Sequence, residues 1–207
     1  KALPFVDAWG GKILDWGQKK ASGYVNSPES VEAMTFYGDL VNKHKVASLE
    51  MGEPMETFSQ GVSSIMFREC FAAAWIKKNN PNLNYAVFAL PKHKVASGYA
   101  GNFPWSVQVN KDSPELNRKW AWELMRYYVD NKAMRKEHAV VSSIITPWKD
   151  IIGEPEFVAH PAYKAYVAMA AGRAATNYHV PPAQELLQAY GQGVLDVIFA
   201  KDNAKSA

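Results

Sequence analysis

The chain has 207 residues, 48% of them hydrophobic, which is enough for one large domain or two small ones. Its net charge of +3 is nearly neutral and its basic residues are scattered, so we expect no nucleic-acid-binding groove. Short basic runs such as 92–94 are expected to be solvated surface. No apolar stretch is long enough to cross a bilayer. The single cysteine, Cys70, excludes an intrachain disulfide framework and leaves the compartment open. A start at Lys1, without an initiator Met, fits a processed chain.

Glycine and helix-start signals mark the first part of the chain. The pair Gly10-Gly11 indicates a turn that leads into a strand over residues 12–16. Asn26 or Ser27 can cap a helix, and Pro28 suits its first position. Apolar residues at helical spacing continue that helix to about residues 43–45.

The middle of the chain predicts a short helix, a strand and a second helix. Gly61 suits the position after the first helix, because glycine adopts left-handed dihedral angles without a side-chain clash. Residues 62–67 have the apolar, β-branched character of a half-buried strand, and residues 68–71 form the turn into the next helix. A further strand over residues 85–90 ends at Pro91, and residues 92–104 form a glycine-containing loop.

The last part of the chain is predominantly helical. A strand over residues 105–109 precedes a cap-Pro-acid helix start at 112–115. One helical stripe follows in the residues Leu116, Trp120, Leu124 and Tyr128. Further helices are predicted over 132–139, within 161–171, and over 182–199. The predicted class is α/β with helices predominating.

Several of these segments, in the same order, resemble the extracellular solute-binding proteins of ABC importers, in particular the carbohydrate-binding, maltose-binding-protein-like group. The resemblance covers residues 9–148 and weakens beyond them. It rests on these segments: the glycine pair of Gly10-Gly11-Lys12-Ile13-Leu14-Asp15, the helix start Asn26-Ser27-Pro28-Glu29, the segment 58–66, the strand 85–91 that ends in Leu-Pro, the segment 98–109, the stretch Asn110-Lys111-Asp112-Ser113-Pro114-Glu115 with Trp120-Ala121-Trp122-Glu123-Leu124, and the segment 143–147 that ends in Pro.

The resemblance implies a periplasmic-binding-protein-like fold, in which two α/β lobes close around a ligand like a clamshell. Members of the group are much longer, with an amino-terminal lobe before anything like Trp9. This chain therefore resembles the carboxy-terminal portion of such a protein, with the amino-terminal lobe largely absent. The expected divisions are a carboxy-terminal-lobe segment (1–95), a hinge-crossing strand and helix pair that could belong to the other lobe (96–150), and return helices (151–207).

The turn at 68–71 is the first candidate ligand site, because ligands in α/β proteins often bind where a strand leads into a helix. Arg68 could donate to ligand hydroxyls or a carboxylate, and Glu69 could accept. Phe71 could present an apolar face to a sugar ring. Each also has a structural alternative: a lobe-closing ion pair for the charged residues and core packing for Phe71. The residues at this turn differ from the small and aromatic ones common in the group, which leaves the ligand open.

Two further pairs are candidates. Asn102 and Trp105 follow the glycine loop and could hydrogen-bond and stack on a ligand, although Trp105 could instead begin a buried strand. Tyr178 and His179 lie where members of the group often approach the ligand, although a plain turn is an equal alternative.

No catalytic or metal-binding motif occurs in the sequence. The five histidines are far apart and show no metal-ligand spacing, and no nucleophile elbow, phosphate loop or dinucleotide fingerprint is present. We therefore expect no enzyme activity and no cofactor. A pair of carboxylates for glycoside hydrolysis stays open as an alternative, since the fold would set their separation.

The resemblance implies a periplasmic or cell-surface-anchored protein that binds a carbohydrate between lobes and delivers it to an ABC permease. It implies a monomer when full length. Alternatives are an anionic or polyamine solute in the same class of binder, and a hydrolase acting on polysaccharide.

Overall fold

The structure, a computed structural model, describes residues 2–15, 17, 19–96, 107–160, 162–170 and 183–200. These ranges contain nine helices and no strand. The helices are α1 (Leu3–Trp9), α2 (Pro28–Asn42), α3 (Pro54–Ser59), α4 (Phe71–Asn79), α5 (Glu115–Asp130), α6 (Lys132–Val141), α7 (Pro155–Val158), α8 (Tyr163–Ala170) and α9 (Ala183–Ile198). None of them is long and apolar enough to cross a membrane.

The chain divides into two compact units. The first takes in the described residues within 1–67, 89–102 and 168–207, and the second those within 68–88 and 103–167. The sequence-based divisions after residues 95 and 150 stay a prediction.

The core of the first unit is built by α1, α2 and α9. α1 packs on α2, and α2 packs on α9. Phe5, Val6 and Trp9 of α1 are buried with Met34 of α2, because apolar residues about one helical turn apart place their side chains on one face of each helix. The Phe5 ring lies 5.0 Å from that of Tyr37 and adds an aromatic contact to this core.

The glycine pair after α1 has the predicted turn but not the predicted strand. Gly10 ends α1 in the left-handed region, at φ +87°. Gly11 lies so close to α2 that a Cβ atom there would come within 2.5 Å of Ser30 Oγ and 3.0 Å of Ser30 N. Ser30 Oγ in turn lies 2.9 Å from Tyr24 O and 3.2 Å from Lys12 O, and its one hydroxyl hydrogen can be donated to either carbonyl. This turn therefore fixes the path of the chain across the start of α2. The helix α1 itself was not predicted.

The helix-start signal at 26–29 is confirmed, whereas at 112–115 the helix α5 begins at Glu115 with Pro114 at its N-cap and no side-chain cap. Ser27, not Asn26, caps α2 by accepting from Ser30 N, with Pro28 at the first helical position. Asn26 Oδ1 instead accepts from Gly23 N. Gly61 follows α3 at φ +74°, as predicted. The helices predicted near 71, 115, 132, 163 and 183 are present, and the four-residue α7 was not predicted.

The predicted strands are wrong for the described residues. Residues 62–67 contain bends and 85–90 have no regular secondary structure. A strand exists only as part of a hydrogen-bonded ladder, and neither segment has a ladder partner within the described ranges. Their apolar side chains are accordingly open to solvent, with Ile65 75% exposed and Phe88 83% exposed. The strands predicted over 12–16 and 105–109 are likewise not seen at the positions that the structure describes.

The second unit joins α5, α6 and α7. α5 contacts α6, and α6 contacts α7. Lys132 and Lys136 of α6 form ion pairs with Glu154, at 2.7 and 3.2 Å, and Lys136 also pairs with Glu156 at 2.9 Å. The hydrogen bond from Lys132, followed by that from Lys136, lowers the pKa of Glu154. These charges hold α7 against α6 around the buried side chain of Phe157.

Candidate functional site

The turn at 68–71 begins the second unit and leads directly into α4. Ala72 N donates to Glu69 O and Ala73 N to Cys70 O, so the backbone starts the helix with a tight turn. No side chain caps this helix start. Ala72, Ala73 and Ile76 are the buried residues of α4 and orient it.

Phe71 lies on the opposite side of α4 from the buried face. A helix turns by about 100° per residue, which puts Phe71 and Trp75 together, away from Ala73 and Ile76. Both aromatic side chains are half-buried. An aromatic ring that is held by the helix yet partly open can pack against a ligand.

Arg68 and Glu69 lie beside that ring. Arg68 Nη1 is 3.5 Å from Glu69 Oε2, and the guanidinium carbon of Arg68 is 5.5 Å from the centre of the Phe71 ring. The Arg68 side chain is 22% exposed and the Glu69 side chain 41%. The turn therefore presents cationic donors, carboxylate acceptors and an aromatic surface within a few residues.

Three of the seven predicted site residues are brought together in this way. The other four, Asn102, Trp105, Tyr178 and His179, lie outside the described residues. Cys70 is a half-buried free thiol in the same turn.

The segment before residue 97 is fastened to the first unit. The His93 ring stacks on Trp9 at 3.9 Å, and Val95 N donates to Ala8 O. Lys94 pairs with Glu32, and this hydrogen bond is the main cause that lowers the pKa of the Glu32 carboxyl group. The basic run at 92–94 is exposed, as predicted, and its residues His93 and Lys94 also contact α1 and α2.

Ser143 and His160 form a partly buried hydrogen bond that the sequence did not indicate. Their Oγ and Nε2 atoms are 2.7 Å apart, beside a cavity of about 10 Å³. Ala162 N donates to Nδ1 of His160, so in the neutral ring the hydrogen is on Nε2 and points at Ser143. His160 in that tautomer cannot take the Ser143 proton, and a cavity of this size holds at most one water. The hydrogen bond between Ser143 and His160 therefore has a structural role.

A buried arginine makes a second structural interaction in the same unit. Arg135 of α6 donates to both carboxylate oxygens of Asp150, at 3.2 and 3.3 Å. Its guanidinium carbon lies 4.3 Å from the centre of the Trp148 ring. These contacts hold in place the residues after α6, for which the sequence analysis identified only a segment that ends in Pro147.

Other features of the described residues offer less to a ligand. No group of three or more His, Cys, Asp or Glu side chains in these ranges could hold a metal ion. An open groove of about 530 Å³ lies where α5 meets α6, lined by Glu123, Arg126, Tyr127, Asp130, Asn131 and Lys132. Its charges of both signs are solvated, and it lacks the apolar lining typical of small-molecule sites.

The fold is periplasmic-binding-protein-like and rich in helices. No protein-family model matches the chain. Among solved structures it is similar to a solute-binding protein of an ABC transporter from Thermotoga lettingae TMO with alpha-D-tagatose bound, at a TM-score of 0.81 and 19% identity. It is also similar to T. maritima MalE3 with maltose bound, at a TM-score of 0.76 and 17% identity.

Both matches extend over 99% of this chain but only 52% and 53% of those structures. The chain therefore spans about half their length. At such identities the likeness establishes the fold, and it confirms the fold class that the sequence predicted.

Proposed function

We propose that this chain is the carboxy-terminal portion of a periplasmic or extracellular solute-binding protein that captures a carbohydrate and delivers it to the permease of an ABC importer. The match of nearly the whole chain to two solute-binding proteins, each with a sugar bound, carries this proposal. The protein acts by binding alone, without covalent chemistry, and as a monomer when full length.

The chemistry of the turn at 68–71 supports a hydroxyl-rich ligand. A sugar hydroxyl both donates and accepts hydrogen bonds, and Arg68 with Glu69 offers a donor next to an acceptor. Phe71 adds the apolar surface on which the C–H face of a sugar ring can pack. We propose Asn102, Trp105, Tyr178 and His179 as further ligand contacts.

An anionic solute is the second candidate, because Arg68 could bind a carboxylate or phosphate. Glu69 Oε2, 3.5 Å from Arg68 Nη1, offsets that charge and disfavours a net negative ligand. The donor–acceptor couple therefore favours a neutral sugar.

Thermal-shift screening of the complete gene product against neutral sugars, anionic solutes and polyamines tests the ligand class. A binding protein should show saturable stabilisation of about 3 kcal/mol when a ligand is present at a hundred times its Kd. Stabilisation by anions alone would favour the second candidate. Turnover of a glycoside, or no response to any small solute, would overturn the proposal.

Single substitutions test the site. Phe71→Ala should weaken sugar binding by about twofold to tenfold, the value of one aromatic contact. Arg68→Ala should weaken it by about tenfold to a hundredfold, since it removes a charged hydrogen-bond donor. Lys78→Ala, at an exposed position near the end of the same helix, is the matched control and should bind like the parent. Titration calorimetry gives the Kd, and unchanged affinity in both site variants would reject this location.

A further inference from the structure

The helix α4 carries a row of two aromatic side chains outside its buried face. Phe71 and Trp75 are four residues apart, which places them within about 40° of each other around the helix and about 6 Å apart along its axis. The buried residues of α4 are instead Ala72, Ala73 and Ile76. The principal helix–helix contacts of the described residues, α1 with α2, α2 with α9, α5 with α6 and α6 with α7, do not include α4.

Trp75 has the properties of a residue that can contact a ligand. Its side chain is half-buried, so the helix positions the ring while part of it is open to solvent. Among the described residues, neither Phe71 nor Trp75 stacks on another aromatic ring, and no hydrogen bond uses the indole N–H. Asn79 Nδ2 donates to the backbone oxygen of Trp75 at 2.8 Å, which stabilises the last turn of α4. Trp75 therefore offers an apolar ring face and a hydrogen-bond donor on a well-ordered backbone.

The charged groups of the site lie at one end of this row. The guanidinium carbon of Arg68 is 5.5 Å from the centre of the Phe71 ring, and Glu69 lies beside Arg68. Trp75 follows one helical turn further along α4, which is an advance of about 5.4 Å. One turn is close to the length of one unit in a chain of linked sugars. A second sugar unit that follows the row therefore reaches Trp75.

We propose that the ligand is an oligosaccharide of at least two units, with its first unit on Phe71 and its second on Trp75. Trp75 then determines the preference for a chain over a single sugar. The indole packs on the C–H face of the second unit and donates its N–H to a hydroxyl. This inference rests on the proposed function, because it extends the site at 68–71 along α4. If Trp75 only fills space within its own unit, its removal has no effect that depends on ligand length.

Titration calorimetry of the complete gene product with sugars of increasing length tests the proposal. The probes are the one-, two- and three-unit members of neutral series built on α-linked glucose, β-linked glucose and xylose, and the same members for any other sugar that gives a thermal shift. In the series that binds, two units should bind at least about threefold more tightly than one. Trp75→Ala should weaken binding of the two-unit sugar by about twofold to tenfold and leave the Kd of the one-unit sugar unchanged. Phe71→Ala should weaken both.

Two further variants serve as controls. Trp75→Leu keeps an apolar side chain without the ring and should show the same selective loss, so it replaces Trp75→Ala if that variant folds poorly. Lys78→Ala, at an exposed position of the same helix, should bind every probe like the parent.

The results separate this inference from the proposed function. Sugar binding that is tightest for a single unit, or a loss in Trp75→Ala and Trp75→Leu that is equal or absent for one and two units, would overturn the inference alone. Binding of no sugar would reject the proposed function and the inference with it.

Discussion

The hydrogen bond between His160 and Ser143 makes one residue of the second unit sensitive to pH. Burial, followed by the positive charge of Lys77, lowers the pKa of His160 below its ordinary value. The ring accepts from Ala162 N at Nδ1, and a proton on that atom would face an N–H donor. The folded protein therefore keeps His160 neutral at a pH where the unfolded chain already binds the proton.

The expected result is a loss of stability in acid. Because the unfolded state binds more protons, the contribution of His160 is complete above about pH 6.5 and is lost as the pH falls through its folded-state pKa. His160→Gln should show a smaller fall in Tm between about pH 7.5 and pH 5 than the parent. His44→Gln, at an exposed histidine of the other unit, should keep the parental slope, and an equal slope in His160→Gln would contradict the assignment.

For single residues, the sequence could indicate interaction partners that are close in the chain but not those that are distant in it. The cap at Ser27 was predictable, because a cap and the amide it binds are three residues apart. Ser143 and His160 are seventeen residues apart and share no motif. Arg68, Glu69 and Phe71 could be proposed together only because they are neighbours in the chain.

At the scale of the elements, α2 and α9 pack closely at Gly38. A Cβ atom at Gly38 would lie 2.7 Å from Val197 Cγ1 of α9, and Asn42 Nδ2 donates to Val197 O at 3.1 Å next to it. Glycine is a poor helix former, so the sequence alone marks Gly38 as unfavourable inside α2. In the structure, Gly38 is the position of α2 at which α9 approaches.

Gly38→Ala should therefore destabilise the protein by about 1–2 kcal/mol, although alanine favours the helix. Val197 is β-branched and cannot easily rotate away. Gly38→Ala combined with Val197→Ala should be more stable than the two separate effects predict, by about 1 kcal/mol in a double-mutant cycle from urea denaturation. Gly191→Ala, on α9 with no atom within 4 Å of the added Cβ, should be neutral or stabilising. Additive effects of Gly38→Ala and Val197→Ala would argue against the contact.

Helices were the more predictable elements for a physical reason. A helix satisfies its backbone hydrogen bonds within itself, so caps and periodicity locate it from local sequence. The helices α1 and α7 are short and were not predicted from the sequence. The apolar segments 62–67 and 85–90 have strand-like composition, but a strand depends on a partner elsewhere, which composition cannot supply.

At the scale of the whole molecule, the order of the segments predicted the fold although each segment alone is generic. The matches over 99% of the chain confirm that prediction. What the sequence could not give is the set of surfaces that lack a covering element within the described residues. The spacing of Leu116, Trp120, Leu124 and Tyr128 predicted a helical stripe, but it could not show that Leu116, Trp120 and Leu124 are 62%, 63% and 65% exposed.

Hydrogen exchange of backbone amides should separate the helices from the apolar segments that have no ladder partner within the described residues. Amides of α4 that bond within the helix, such as that of Ile76, which is 2% exposed, should be protected from hydrogen exchange. Amides of Ile65, Val87 and Phe88 should exchange about as fast as in an unfolded peptide, because these residues belong to no helix or ladder. Exchange followed by mass spectrometry with peptide-level resolution measures both in one experiment. Protection at 86–88 comparable to that of α4 would mean that the segment pairs as a strand in the isolated chain, contrary to the structure.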